Sequence, residues 1–170
     1  VAGWLVRSKM SRKARQARDC PLLKLKVDAR RHVDLVRVVR EEHPAARLIV
    51  DANQSWTRDL LERLLPELHR LGVQMVEQPV PRGDDATLDG LVSPVPLAAD
   101  ESCTDRSSLA ALAGRYQSIN IKLDKCGGLT EGLLMARRAR ELGKQVMVGN
   151  MCGTSLAAAP AFVLGQLCDV

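Results

Sequence analysis

Aromatic side chains are nearly missing from this 170-residue chain, which holds one Tyr, one Phe and two Trp. So few rings cannot stack successive bases, and a net charge of +5 does not make up for them. Six basic residues, Arg7, Lys9, Arg12, Lys13, Arg15 and Arg18, crowd the first 19 positions against Asp19 alone. Setting those aside reduces 25 basic residues to 19 and 20 acidic residues to 19, so the body of the chain is electrically balanced and no nucleic-acid partner is expected. CxxC pairs are missing too. Cys20, Cys103, Cys126, Cys152 and Cys168 are odd in number and scattered, which argues against a zinc or thiol-exchange motif and reads as reduced, cytoplasmic thiols. No His stands at a strand end to activate one of them as a nucleophile. No apolar run approaches the roughly 20 residues of a spanning helix, and the first residues lack the order of a secretory signal, so no membrane partner is expected either.

What is present is a repeat of short apolar runs and longer helical patterns, in a chain long enough to bury a sizeable core. From Pro21 onward, strands are predicted near 22–27, 47–51, 73–77, 95–99, 118–122 and 145–149. Between them, Leu60, Leu61, Leu64, Leu65, Leu68 and Leu71 form an apolar stripe that stops at Gly72. Leu129, Leu133, Leu134, Ala136 and Leu142 form another that stops at Gly143. Strand starts every 22 to 28 residues with a helix between each pair give parallel neighbours. An open doubly wound sheet and a (β/α) barrel both satisfy that pattern. No Gly-rich phosphate loop follows the first strand, whereas ionisable residues end one strand after another, which favours the barrel, where all strand ends face one mouth. The predicted class is therefore α/β, an incomplete parallel (β/α) TIM-type barrel of about six strand-helix units over residues 21–170. Residues 1–20 form a basic segment without an assigned strand, to which a helix is open.

Asp51, Glu77 and Asp100 end three successive strands, 26 and 23 residues apart. Acidic residues there can simply cap the next helix. Three in a row, with no matching His or Cys set, instead suit a hard divalent cation such as Mg²⁺, and without one their charges would repel. Lys24 and Lys26 precede Asp51 by about one repeat, and Lys122 follows Asp100 by one. A spacing of two puts Lys24 and Lys26 on one face of their strand and Leu25 on the other. A lysine in an apolar run beside a cation is expected to have a lowered pKa, so its neutral amine can take a proton. Two such bases on either side of one carbon would invert a stereocentre, while the cation holds a substrate carboxylate and steadies the enediolate left when the α-proton departs. Lys125 is expected to face solvent or contact a phosphate, Asp84 and Asp85 to be solvated turn residues, and Gly127–Gly128 is at most a weak anion-binding signal.

Through KLK, IVDANQSW, VEQPVP, ADES, INIKLDKCGGLTEGL and VMVGNMCGTSLAAAP, the sequence from about Leu22 to Pro160 resembles the enolase superfamily, in its muconate-lactonizing subgroup and most closely the dipeptide epimerases. Pairing a Lys base with Mg²⁺ is a general pattern of enolase-superfamily sites. The resemblance implies Asp51, Glu77 and Asp100 as Mg²⁺ ligands and Lys26 and Lys122 as the acid/base pair. Lys24 and Asn150 would contact the substrate, and Asn53 and Glu101 would brace the site from behind, Glu101 by orienting Lys122. It also implies a capping domain before Val1 and a final strand with a DxD motif after Val170. The expected activity is epimerisation of a small dipeptide of the L-Ala-D/L-Glu type. The alternatives are o-succinylbenzoate synthesis or cycloisomerisation, or an inactive remnant. A homo-oligomer is left open.

Overall fold

The computed structural model describes the backbone of residues 2–169, with side chains from Lys9 onward. The apolar runs become strands β1 (Leu22–Lys26), β2 (Arg47–Asp51), β3 (Val73–Glu77), β4 (Leu97–Ala99), β5 (Ser118–Lys122) and β6 (Gln145–Gly149). Between and around them run helices α1 (Ala2–Gln16), α2 (Val33–Glu42), α3 (Arg58–Arg70), α4 (Arg106–Leu112), α5 (Leu123–Cys126), α6 (Leu129–Glu141) and α7 (Ser155–Gly165). The chain divides into two compact units, Val1–Pro81 with Val92–Val95 and Arg82–Leu91 with Pro96–Val170.

In the first unit the strand order is β1-β2-β3, all parallel. The register sets Lys26 beside Asp51 and Asp51 beside Glu77, so three ionisable residues share one strand end. Strand β2 is buried from Leu48 to Asp51, as expected when helices cover a parallel sheet. Helix α3 starts where the Thr57 hydroxyl accepts the Leu60 N–H at 3.2 Å and stops before Gly72, whose φ of 68° a side chain would resist. Leu61, Leu64, Leu65 and Leu68 are its buried face, and with Leu71, buried just past its end, five of the six leucines in the predicted stripe lie inside. Helix α1, in the segment left unassigned from sequence, packs on α2 and buries Ala14.

In the second unit the order is β4-β5-β6, again parallel, with Lys122 beside Gly149. Strand β4 begins at Leu97, not 95, because Pro96 has no N–H to give a ladder. Asp105 and Ser108 close a capping box at the start of α4. Two expectations fail here. Helix α6 buries Gly132, Met135, Ala136 and Ala139, while Leu133 and Leu134 are 38% exposed. Its inward face is the one that presents Gly132, where a Cβ would meet Leu123 Cδ2 at 2.7 Å and Leu164 Cδ2 at 3.1 Å, so a small residue rather than a leucine fits the contact. Asp85, expected to be solvated, is buried, because the 3₁₀ turn Asp85–Leu88 folds its carboxylate inward.

Candidate active site

Strand β1 alternates, with Leu25 buried and Lys24 and Lys26 on the other side, as the spacing of two requires. The Lys24 ammonium lies between two buried carboxylates, its Nζ 2.7 Å from Glu77 Oε2 and 3.1 Å from Asp51 Oδ2. Glu77 is 0% and Asp51 1% exposed, so neither charge has bulk water to stabilise it and each needs a cation. Burial alone would lower the Lys24 pKa, but attraction and hydrogen bonds from Glu77 and Asp51 outweigh it and hold the ammonium above its ordinary range. The neighbours that set this direction are the two anions, Glu77 and Asp51. Lys26 reaches the same Asp51 Oδ2 at 3.5 Å with 69% of its side chain exposed. Asp51 Oδ1 accepts the Asn53 backbone N–H at 3.0 Å, which fixes the carboxylate from below.

The loops after β2 and β3 are fastened together. Gln54 N–H donates to the Gln78 carbonyl at 2.8 Å, and Trp56 N–H to the Pro79 carbonyl at 2.9 Å. Asn53, Gln54 and Gln78 all carry positive φ, of 47°, 66° and 34°, strain that surrounding structure must hold in place. Gln78 is fully buried, its side-chain amide donating to the Val80 carbonyl at 3.0 Å. The strain at Gln54 and Gln78 escaped sequence reading, since neither residue carries a charge.

In the second unit Asp100 is 2% exposed and receives two ammonium groups. Lys122 Nζ donates to Oδ2 at 2.6 Å, and Lys125 Nζ to Oδ1 at 2.7 Å and to the Asn120 carbonyl at 3.0 Å. Burial would raise the Asp100 pKa, yet Lys125 and Lys122 together lower it and keep the group a carboxylate. Lys125 is only 9% exposed, so the solvent-facing role expected for it is wrong: the short helix α5 turns it back over Asp100. Glu101 follows in the turn after β4, and Asn150 is exposed after β6. Cys103, just beyond, is a buried thiol pushed up to about 12 by burial, unsuited to nucleophilic work at neutral pH.

Among the described residues, no group of three His, Cys, Asp or Glu side chains is gathered to hold a metal ion. The donor chemistry of the first unit nonetheless fits one. Asp51 and Glu77 are hard oxygen donors on adjacent strands, and a positive charge, that of Lys24, already sits between them.

Residues 9–167 match the family model for the enolase C-terminal domain-like domain. The chain is 48% identical over 143 residues to the L-Ala-D/L-Glu epimerase of Escherichia coli K12, covering 84% of this chain and 44% of that one. It is 44% identical over 146 residues to an N-acetyl-D-glutamate racemase from a Pseudoalteromonas species, covering 86% and 46%. The structure superposes on that of a dipeptide epimerase from Methylococcus capsulatus solved with Mg ion, with a TM-score of 0.88 and 32% identity, over 95% of this chain and 50% of that one. The match settles the choice between architectures in favour of the barrel. The chain spans about half the length of the curated relatives it matches. It belongs to the enolase C-terminal domain-like family, within the enolase superfamily.

Proposed function

We propose that this protein epimerises the α-carbon of a small dipeptide of the L-Ala-D/L-Glu type by two-base proton transfer, one lysine taking the α-proton and a second lysine giving its own proton to the opposite face. The observation that carries this reading is the pairing of each lysine with a buried carboxylate at a strand end, Lys26 with Asp51 and Lys122 with Asp100, in a chain 48% identical to an L-Ala-D/L-Glu epimerase. One amine, neutral, takes the α-proton. The other, as an ammonium, returns a proton to the opposite face, so the configuration inverts. Lys24 is assigned to the substrate carboxylate, and the exposed Asn150 to the outer part of the pocket. Asn53 steadies Asp51 through its backbone N–H, and Glu101 is assigned a bracing role beside Asp100.

Asp51, Glu77 and Asp100 are assigned as ligands of Mg²⁺, which when bound supplies positive charge against the substrate carboxylate and the negative charge that builds as the proton leaves. Support comes from the donor set and from the relative solved with Mg ion. Residues 1–20 are assigned to no catalytic role, and 21–170 to the catalytic barrel. A cytoplasmic setting agrees with free cysteines throughout the described residues. No helix among the described residues is long and apolar enough to cross a membrane.

The test is a substrate panel followed by NMR. L-Ala-L-Glu, N-acetyl-glutamate and the cyclic acids of the sister reactions are each incubated with protein stripped by chelator and then restored with Mg²⁺. Conversion of L-Ala-L-Glu to L-Ala-D-Glu only after restoration supports the proposal. Turnover confined to a cyclic acid assigns the sister chemistry instead.

A further inference from the structure

The second unit contains a buried carboxylate that the proposed chemistry leaves unused. Asp85 Oδ1 accepts the Tyr116 hydroxyl at 2.6 Å and the Ser102 hydroxyl at 2.7 Å, and Oδ2 accepts the Gly83 N–H at 3.2 Å. Tyr116 is fully buried, Ser102 is 8% exposed and Asp85 9%, so little of the cluster meets water. Burial would raise the Asp85 pKa, but these donors lower it, which leaves an anion under its own loop. Hydrogen bonds to an ionised acceptor are about twice as strong as neutral ones, so this is a firm anchor.

What it anchors is specific. Ser102 lies two residues after Asp100, in the tight turn closed by Cys103 N–H donating to the Asp100 carbonyl at 2.9 Å. That carbonyl also accepts from Lys125, so the turn and the two ammonium groups form one connected assembly. We propose that Asp85 is a positioning residue: through the Ser102 hydroxyl it fixes the Asp100 turn, and so fixes the carboxylate to which Lys122 is tied. This rests on the reading of Asp100 as a ligand and Lys122 as an acid/base group. The Tyr116 arm serves the same carboxylate but leads to the start of β5, not to the turn.

The two arms give the test. Ser102→Ala and Tyr116→Phe each remove one hydroxyl from the same oxygen, so both are expected to lower the melting temperature. Only Ser102→Ala is expected to reduce kcat for dipeptide epimerisation about tenfold with KM within twofold, and to weaken Mn²⁺ binding, read by electron paramagnetic resonance, about tenfold. Ser102→Thr, which restores the hydroxyl, is expected to recover both, and Asp85→Asn to behave like Ser102→Ala. Tyr116→Phe should keep kcat and Mn²⁺ affinity within twofold of the parent. The positioning role is overturned if Ser102→Ala keeps parental kcat and Mn²⁺ affinity, or if Tyr116→Phe loses them equally. A parent protein that neither binds Mn²⁺ nor turns over a dipeptide overturns the proposed function itself, and this role with it.

Discussion

Adding one methyl group at Gly149 should disable Lys122 without touching it chemically. Gly149 lies beside Lys122 in the β5-β6 register, and a Cβ built there would stand 3.1 Å from Lys122 Cε, 3.0 Å from Asn120 Oδ1 and 3.2 Å from Asn120 Nδ2. Carbon atoms pack best at about 3.5–4.0 Å, so the lysine stem must retreat by roughly half an ångström. There is little room for it to do so, since Asn120 is 0% exposed and the Lys122 side chain only 12%. Overpacking of this kind costs about 1–3 kcal/mol, which in a chain of this size lowers the melting temperature by about 2–4 °C per kcal/mol. A misplacement of 1 Å can cost about 10²-fold in rate, so half of that should reduce kcat for epimerisation of L-Ala-L-Glu about tenfold. Gly114→Ala, where a Cβ meets nothing within 4 Å, is the control and should leave kcat unchanged. The measurements are steady-state kinetics and thermal unfolding of both variants. A Gly149→Ala protein with the kcat and melting temperature of the parent would refute the crowding of Lys122.

Three further outcomes follow from individual contacts. Cys20 and Cys152 are exposed and Cys103 is buried with its thiol pushed up to about 12, so alkylation of native protein followed by peptide mass spectrometry should label the first two rapidly and Cys103 only after unfolding. Glu67 is lowered to about 2, first by the Arg70 hydrogen bond and then by that of Arg37. A depressed carboxylate stabilises the fold above its unfolded value near 4.5 and loses that contribution as pH falls toward about 2, so acid unfolding of Glu67→Gln should show a shallower pH dependence across that window. On α6, Met135→Ala should cost about 2–5 kcal/mol in urea unfolding, because Met135 is 1% exposed, whereas Leu133→Ala should cost under about 1 kcal/mol. Equal costs would restore the helix face predicted from sequence.

The strands were readable because each is a short apolar run closed by a residue that changes its character, as in RLIVD, VQMVE and SINIK. Asp51, Glu77, Asp100, Lys24, Lys26 and Lys122 could be named because they break such runs at a regular interval, and a charge inside an apolar run is conspicuous. Other features depend on partners far away in the chain. Nothing near Asp85 in sequence announces that Tyr116, 31 residues on, will hold its carboxylate. Lys125 reads as a loop lysine until α5 folds it back toward Asp100, 25 residues earlier. The face of α6 is chosen by Leu123 and Leu164, which leave space for Gly132 and not for a leucine. Periodicity alone points to the leucine stripe, because neither partner lies within that stripe.

The assignment of one lysine to each face of the substrate is tested by solvent exchange. Each isomer of L-Ala-Glu is incubated in deuterium oxide with parent, Lys26→Ala and Lys122→Ala protein, and loss of the α-proton is followed by NMR. The parent should exchange both isomers, and each variant should retain exchange with one isomer and lose it with the other, in opposite senses. Variants that lose both isomers together, or retain both, would contradict a two-base proton transfer.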